Sequence, residues 1–253
     1  NVLNRPQLVA QPTRERVQAT IEKLGFVPNG FARQLRAGHG NTLGLVVPDV
    51  ANPFFTEVAR GVEDAASKRS YAVFLCNSDE STSKENKYIN VLIQQQVRGV
   101  LITPASKKPD NLNLLMERDI AVTLLDRESK NLAQCSVAVD DVRGGEMGIE
   151  FLAKLGHKNI AFVCGPEEIP QVADRKSGVK AAASAAKIKI QTIEVDLMNS
   201  VAGELAAKRI MKLEIKPTAI FCANDLLAIG VMRTLAAAGW KVPTAGADYH
   251  ADM

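Results

Sequence analysis

The 253-residue sequence is 46% hydrophobic and has a formal net charge of +3, which gives enough apolar material for one large core or two smaller ones. No apolar run approaches the length of a membrane span, and the amino terminus lacks the hydrophobic region of a signal peptide. These features disfavour a membrane or exported protein, and we expect a cytoplasmic one.

The basic residues are concentrated at the amino terminus. Residues 1–40 contain six basic and two acidic side chains, whereas the rest of the chain has 25 basic and 26 acidic ones. A basic arm on a nearly neutral body predicts an anionic partner for the arm, and nucleic acid is the first candidate.

The cysteines and histidines follow no metal-binding pattern. The cysteines are widely spaced, form no C-x-x-C pair and lie in or beside apolar runs, so we expect buried free thiols in a reducing compartment. Neither a metal ion nor a cofactor is expected. The residues concerned are Cys76, Cys135, Cys164, Cys222, His39, His157 and His250.

The first predicted helix covers residues 13–24, with Thr13 as its N-cap and Gly25 just after its end. Its apolar stripe consists of Val17, Ile21 and Leu24. A single amphipathic helix cannot form a core. We therefore expect the chain to begin within a small helical domain.

A second, shorter helix is predicted in "PNGFARQLRAG", residues 28–38, with Asn29 as its N-cap. It carries Leu35 on its apolar side, bears Arg33 and Arg36, and has no acidic residue. About nine residues are too few for a helix that is stable alone in water. The segment therefore requires a partner surface.

From residue 42 onward, apolar strands alternate with helices. Strands without polar alternation, separated by helices, are typical of parallel sheets that are covered on both faces. The predicted strands are residues 42–47, 71–76, 99–103, 121–125, 137–139, 160–164, 192–195 and 219–223. The predicted helices are residues 55–69, 84–96, 110–118, 143–155, 175–187, 201–213 and 225–238. A crossover around residues 139–145 divides them into two similar α/β lobes.

Polar and aromatic side chains follow several of these strands. Ligands of open parallel sheets bind beyond the carboxyl ends of the strands. Aromatic faces combined with carboxylates, arginines and amides suit a sugar, whose C–H faces pack on rings and whose hydroxyls need polar partners. The candidates are Asn52, Phe54, Phe55, Asp126, Arg127, Asp140, Asp141, Asp174, Arg175, Asn224 and Asp225.

Each candidate also has a structural alternative. The two phenylalanines could seal a helix onto the sheet, Asp126 could cap a turn, and Arg175 could pair with a surface acid. Asn224 could be the N-cap of the helix that follows it, which is compatible with ligand binding. These alternatives stay open at the level of sequence.

Enzyme signatures are missing from the sequence. No glycine-rich phosphate loop follows the first strand, and neither a G-x-S-x-G nucleophile motif nor a histidine–glutamate metal motif occurs. Asp140 and Asp141 could be imagined as catalytic acids, but nothing nearby supplies a nucleophile or a metal. We therefore expect a binding protein.

Several spaced blocks resemble the lactose-repressor/galactose-repressor family of bacterial transcription regulators. They are "VLNRP", "TRERVQATIEKLGFVPNGFARQLRAG", "TLGLVVPDVANPFFTEVARGVEDAA", "VDDVRGGEMGIEFLAKLGHKNIAFVCG" and "CANDLLAIGVMRTLAAAGWKVP". The resemblance runs from residue 1 to about residue 243, and the blocks agree in order. It implies a helix-turn-helix domain, a hinge helix and a two-lobed core like that of periplasmic sugar-binding proteins.

The resemblance also implies a domain organisation and DNA contacts. Leu35 matches the hinge leucine that enters the minor groove at the centre of the operator, as an apolar wedge. Asn29, Arg33 and Arg36 would contribute minor-groove or phosphate contacts. The implied divisions are residues 1–28 (part of the helix-turn-helix domain), 29–40 (hinge helix and linker), 41–140 (first lobe) and 141–253 (second lobe, incomplete).

In the core, the same resemblance implies an effector site similar to those that bind pentoses and hexoses. Phe54 and Phe55 would stack on the sugar ring. The other implied contacts are Asn52, Asp126, Arg127, Arg175, Phe221, Asn224 and, within the altered carboxyl-terminal motif "GADYHAD", Asp248. Ile169 and Gln171 stand where purine-binding members have arginine and threonine, which counts against a purine effector.

We therefore expect a homodimeric DNA-binding regulator that acts as a repressor. A small sugar-like effector is expected to control its affinity for operator DNA. A phosphocarrier co-regulator is left open, although no diagnostic residue supports it. The alternatives are a soluble periplasmic-type sugar-binding protein without DNA binding and an α/β enzyme acting on a sugar or nucleotide. Residues 1–40 contradict the first alternative, and the lack of a nucleophile contradicts the second.

Overall fold

A computed structural model describes residues 2, 6–25, 40–106, 110–129 and 134–242. The predicted hinge helix lies outside these residues. Within them, two parallel sheets are flanked by helices, as the apolar strand pattern predicts. Every helix in the described ranges is too short or too polar to traverse a lipid bilayer.

The amino-terminal helix α1 spans Gln11–Leu24 and follows a 3-10 turn at Pro6–Leu8. It begins two residues earlier than the sequence predicts, because Pro12 is well suited to a helical first turn. The predicted Thr13 cap is therefore wrong, since Ala10 is the N-cap and makes no side-chain cap bond. Gly25 ends the helix in the left-handed conformation, as predicted.

The first sheet has the strand order β2-β1-β3-β4-β5, and every neighbouring pair is parallel. Its strands are β1 (Thr42–Val47), β2 (Ala72–Asn77), β3 (Gly99–Ile102), β4 (Ala121–Leu125) and β5 (Cys135–Val137). Its helices are α2 (Pro53–Ser67), α3 (Thr82–Gln94) and α4 (Asn113–Met116), the last preceded by a 3-10 turn at Asp110–Leu112.

The second sheet has the order β7-β6-β8, again with parallel neighbours. Its strands are β6 (Asn159–Cys164), β7 (Lys189–Glu194) and β8 (Ala219–Cys222). Its helices are α5 (Asp141–Lys154), α6 (Pro170–Ala186), α7 (Ser200–Ile210) and α8 (Asp225–Ala237). We call the part that contains the first sheet lobe 1 and the part that contains the second sheet lobe 2.

The central strands are buried on both faces. In β1, Leu45, Val46 and Val47 are fully buried, because α2 covers one face of the sheet and α3 the other. In β6, all residues from Ile160 to Cys164 are fully buried. These two strands are therefore the centres of the two cores.

Further sequence predictions need correction. Strand β5 lies two residues before its predicted position, and β7 begins at Lys189, three residues before the predicted start. The helix predicted at residues 110–118 is only a 3-10 turn followed by the single turn α4. The helix predicted at residues 175–187 begins at Pro170, five residues earlier. Cys135 is exposed, whereas a buried thiol was expected, because β5 is the edge strand of its sheet.

Glycines allow two helix pairs of lobe 2 to touch through their backbones. A Cβ at Gly145 of α5 would overlap the carbonyl of Arg175 in α6, and one at Gly178 of α6 would overlap the carbonyl of Val142 in α5. Gly203 and Gly230 have the same reciprocal relation between α7 and α8. Close packing in lobe 2 therefore depends on the lack of a side chain at these positions.

Candidate functional site

Asp126 directly follows β4 and takes part in a contact between the two lobes. Its backbone has a left-handed φ of 51°, and its N–H donates to the Val137 carbonyl of β5 at 2.8 Å. Gln171, in the first turn of α6, donates through Nε2 to the Asp126 carbonyl at 2.6 Å and to its Oδ2 at 2.9 Å. Both bonds join lobe 2 to lobe 1.

The Asp126 carboxyl group has an unusual environment. Burial raises its pKa to about 6, because desolvation disfavours the charged form. The hydrogen bond from Gln171 and the positive charges of Arg175 and Arg127 act in the opposite direction, while Asp141 adds to the increase. The group therefore changes its charge within the range of ordinary solution conditions.

Arg127, the next residue, holds the loop that follows β3. Its two terminal nitrogens donate to the carbonyls of Pro104 at 3.0 Å and Ser106 at 3.2 Å. Burial lowers the pKa of its guanidinium, whereas the charges of Asp126 and Glu85 raise it. The predicted role in sugar binding is therefore accompanied by a role within lobe 1.

Glu85, in α3, holds the same loop from the other side. Its side chain is 0% exposed, its Oε2 accepts from the Ala105 N–H at 2.7 Å, and its Oε1 accepts from Asn111 Nδ2 at 2.8 Å. A buried carboxylate is unfavourable unless a positive charge or hydrogen bonds offset its desolvation. The positive charge of Arg127, on the other side of the loop, helps to stabilise Glu85 in the folded protein.

Arg175, in α6, forms an ion pair with Asp141 at the start of α5 and also donates to the Ala223 carbonyl after β8. Burial raises the pKa of Asp141, and the Arg175 charge opposes this effect. The acid is buried, unlike the surface partner considered from sequence. Arg175 thus ties together three elements at the carboxyl end of the second sheet.

The two predicted aromatic residues have different environments. Phe54 is 43% exposed at the start of α2, whereas Phe55 is 8% exposed and packs among Leu45, Val47 and Leu125. Their rings meet edge to face with centroids 5.0 Å apart. Phe55 therefore seals α2 onto the sheet, and Phe54 is the ring available to a ligand.

The remaining candidates have structural partners. Asn52 is the N-cap of α2 and accepts from the Phe54 N–H at 3.1 Å. Asn224 is the N-cap of α8, accepts from the Leu227 N–H at 2.9 Å and donates to the Met198 carbonyl at 2.9 Å. Phe221 stacks on Phe162 with centroids 5.5 Å apart.

The described part of the chain thus gathers a polar cluster at the carboxyl ends of strands from both lobes. Its members are Asp126, Arg127, Asp141, Gln171, Asp174 and Arg175. No group of side chains suited to hold a metal ion occurs among the described residues. A pocket of about 390 Å³ lies elsewhere on lobe 1, beside Tyr71, Arg98 and Asp119.

Sequence reasoning missed Gln171, which belongs to the site, and Glu85, which holds the loop that Arg127 contacts. Gln171 entered only as a departure from the purine-binding pattern. Its distance of 45 positions from Asp126 concealed the contact. Glu85 lies in an ordinary polar stretch that gives no sign of burial. The predicted DNA contacts Asn29, Arg33, Leu35 and Arg36, and the predicted effector contact Asp248, lie outside the described residues.

Comparison with known proteins gives consistent matches. The family model described as "Periplasmic binding proteins and sugar binding domain of LacI family" matches residues 40–250. The HTH-type transcriptional regulator RegA of Clostridium saccharobutylicum is 31% identical over 245 residues, which cover 96% of this chain and 74% of that protein. Catabolite control protein A of Priestia megaterium is 32% identical over 246 residues, with the same two coverages.

Solved structures share the fold. A LacI family transcriptional regulator from Enterococcus faecalis V583, solved with bound ribose, superposes with a TM-score of 0.71 at 32% identity. The match covers 80% of this chain and 74% of that one. The matched relatives are transcription regulators and not enzymes. The chain therefore belongs to the LacI family of DNA-binding transcription regulators, in which a small effector bound to an α/β core controls affinity for operator DNA.

Proposed function

We propose that the effector of this regulator is a sugar bound between the two lobes. One observation carries the proposal: Asp126 of lobe 1 and Gln171 of lobe 2 meet at the carboxyl ends of the strands, beside Arg175 and Asp141. A polar ligand in this position contacts both lobes at once. The ribose-bound relative from Enterococcus faecalis supports a sugar as the ligand class.

Each proposed contact has a chemical role. The exposed ring of Phe54 packs on the C–H face of the sugar. The buried ring of Phe55 supports Phe54 through their edge-to-face contact. The Asp126 carboxylate accepts hydrogen bonds from sugar hydroxyls. Arg175 and Asn224 contact the hydroxyls from the side of lobe 2. Asn52, Arg127 and Phe221 support the site through the cap, the loop and the core that they hold.

Coupling to DNA follows from two-state linkage. We call the space between the two lobes, beside Asp126 and Gln171, the cleft. Sugar bound there favours one relative orientation of the lobes. That orientation changes the spacing of the two hinge segments (residues 29–40) in a dimer. The coupling is reciprocal, so operator DNA changes sugar affinity by the same factor. As a repressor, the protein acts in the cytoplasm on double-stranded operator DNA, with residues 1–28 in the DNA-binding domain.

Titration with sugars tests the effector site. We expect D-ribose or a related pentose or hexose to raise the midpoint of thermal unfolding of the full chain. Asp126→Asn should weaken binding about 30-fold, because it removes a charged acceptor from a half-buried position. Isothermal titration calorimetry measures the change. If Asp126→Asn binds the responding sugar as tightly as the parent protein, the assignment of this site is rejected.

The pH dependence of binding provides a second measure of Asp126. Because its pKa is raised to about 6 and the ionised form is the better acceptor, sugar affinity should rise with pH through about 6 and then level off. Without sugar, the folded state holds this proton more tightly than the unfolded state. The contribution of Asp126 to the free energy of unfolding therefore falls as the pH rises from 3.8 to about 6. Asp126→Asn should remove both effects.

Leu35→Ala tests the proposed hinge. Loss of the apolar wedge should lower affinity for operator DNA by about 10-fold, while sugar affinity without DNA stays unchanged. Electrophoretic mobility shifts on the protein's own promoter region measure the first quantity, and calorimetry measures the second. Equal operator affinity of both proteins would remove Leu35 from the DNA contact.

We further propose that the regulator is a homodimer that pairs through the edge of lobe 1. Strand β2 lies at the edge of its sheet and exposes Phe74 (43%) and Leu75 (52%). Light scattering should give twice the chain mass of 27.3 kDa. Leu75→Lys should shift the protein to monomer at low concentration, whereas Leu205→Lys, an exposed position of α7, should not. A dimer that tolerates Leu75→Lys would exclude this edge as the interface.

A further inference from the structure

We infer that the cleft selects an unphosphorylated sugar, and that Gln171 distinguishes it from its phosphate ester by accepting a hydrogen bond from a hydroxyl group. The inference rests on the proposed sugar site and specifies which class of sugar, free or phosphorylated, that site binds. Three features of the described residues carry it: the engagement of the cationic donors, the capping of the helix amino termini, and an unpaired acceptor at the junction of the lobes.

The arginines that could bind a phosphate already face protein acceptors. Both terminal nitrogens of Arg127 donate to carbonyls of the β3 loop, and those of Arg175 donate to Asp141 and to the Ala223 carbonyl. A phosphate dianion would have to displace Asp141 from Arg175 and leave a buried acid without its partner, which is costly. Arg127 Nε is buried without a hydrogen bond and supplies one donor, whereas phosphate requires several.

Three of the helix amino termini near the strand ends are also engaged. Phosphate binds at helix starts when their backbone N–H groups are free. Here Asn52 caps α2, Asp140 caps α5 through the Arg143 N–H at 2.8 Å, and Asn224 caps α8. Helix α6 lacks a side-chain cap, but the acidic residue Glu168 precedes it, and the neighbouring Glu167 already occupies Lys176 in an ion pair at 2.5 Å. These arrangements disfavour an additional negative charge.

The junction of the lobes offers acceptors instead. Gln171 uses Nε2 on Asp126, while its Oε1 is buried and makes no hydrogen bond within the described structure. A buried acceptor without a donor is unfavourable until a ligand supplies one. Asp126 has a second carboxylate oxygen beside it. The two acceptors come from opposite lobes, and adjacent sugar hydroxyls can donate a hydrogen bond to each. A phosphate dianion has no proton to donate and is repelled by the Asp126 carboxylate.

The experiment compares free sugars with their esters on the full-length protein. D-ribose, D-fructose and D-glucose are titrated calorimetrically beside D-ribose 5-phosphate, D-fructose 1-phosphate and D-glucose 6-phosphate. We expect a free sugar to bind about 100-fold more tightly than its ester, since like charges in a desolvated site are strongly unfavourable. An ester that binds as tightly as the free sugar, or more tightly, overturns this inference and leaves the sugar site intact. Binding of neither class overturns the proposed function.

Variants of Gln171 test its individual role. Gln171→Met keeps the length of the side chain and removes the acceptor, so affinity for the free sugar should fall about 5- to 10-fold. Gln94→Met, at an exposed glutamine of α3, is the matched control and should have no effect. Gln171→Lys replaces the acceptor by a cation and should shift the ratio of the two affinities toward the ester about 10-fold. An unchanged ratio in Gln171→Lys would remove Gln171 from the selection.

Discussion

Gly145→Ala is expected to lower the free energy of unfolding by about 3 kcal/mol, while Gly144→Ala in the same helix is expected to raise it slightly. The new methyl group at position 145 would overlap the carbonyl of Arg175, and backbone atoms cannot move aside as a flexible side chain can. At position 144 nothing lies within 4 Å, and alanine in a helix interior is more favourable than glycine by about 0.5–1 kcal/mol.

Thermal unfolding measures this pair directly. A loss of about 3 kcal/mol corresponds to a decrease in Tm of roughly 6–12 °C for a chain of this size. Because α6 carries both Gln171 and Arg175, Gly145→Ala should also weaken sugar binding, whereas Gly144→Ala should not. Similar stabilities for the two variants would show that α5 and α6 do not depend on this backbone contact.

Arg127→Met is expected to destabilise the protein by about 3 kcal/mol. The change removes two charge-assisted hydrogen bonds to the loop after β3, and it takes away the cation that compensates the buried Glu85. Arg127→Lys keeps the charge but cannot hold both carbonyls, so we expect a loss of about 1 kcal/mol. Denaturant unfolding provides the comparison.

A matched control comes from a surface arginine. Arg143 pairs with Glu146 and Glu150 along one exposed face of α5, and Arg143→Met should leave the free energy of unfolding nearly unchanged because exposed ion pairs contribute little. Sugar affinity separates the two roles of Arg127. If Arg127 holds the loop only, Arg127→Lys binds sugar nearly as well as the parent protein. A large loss of affinity in a stable Arg127→Lys protein would indicate direct contact with the sugar.

The alternation of strands and helices could be predicted because it depends on local apolar runs. Buried parallel strands such as β1 and β6 are apolar at nearly every position, and sequence analysis located both within one residue. The start of α6 was missed although Pro170 signals it, because the polar residues before it resemble a loop. The edge strand β5 has so few buried residues that its position carries no clear pattern.

The candidate site could be predicted only in outline. The rule that ligands bind beyond strand ends identified Asp126, Asp141 and Arg175, which the structure brings together with Gln171. It could not separate Phe54 from Phe55, because which ring enters the core depends on how α2 lies on the sheet. The partners of Arg127 and one partner of Glu85 are backbone groups of a loop, which no residue type reveals.

The close approach of α5 and α6 has a mechanical consequence. Where two helices touch through their backbones, no side chain lies between them to change rotamer and absorb a displacement. Gln171 and Arg175 therefore lie on a helix that is held against α5 by backbone contact, so that the two helices are expected to move together. Because α5 begins at Asp141, directly after the segment that leaves lobe 1, a ligand bound to Gln171 or Arg175 contacts a rigid helix pair that starts at the connection between the lobes.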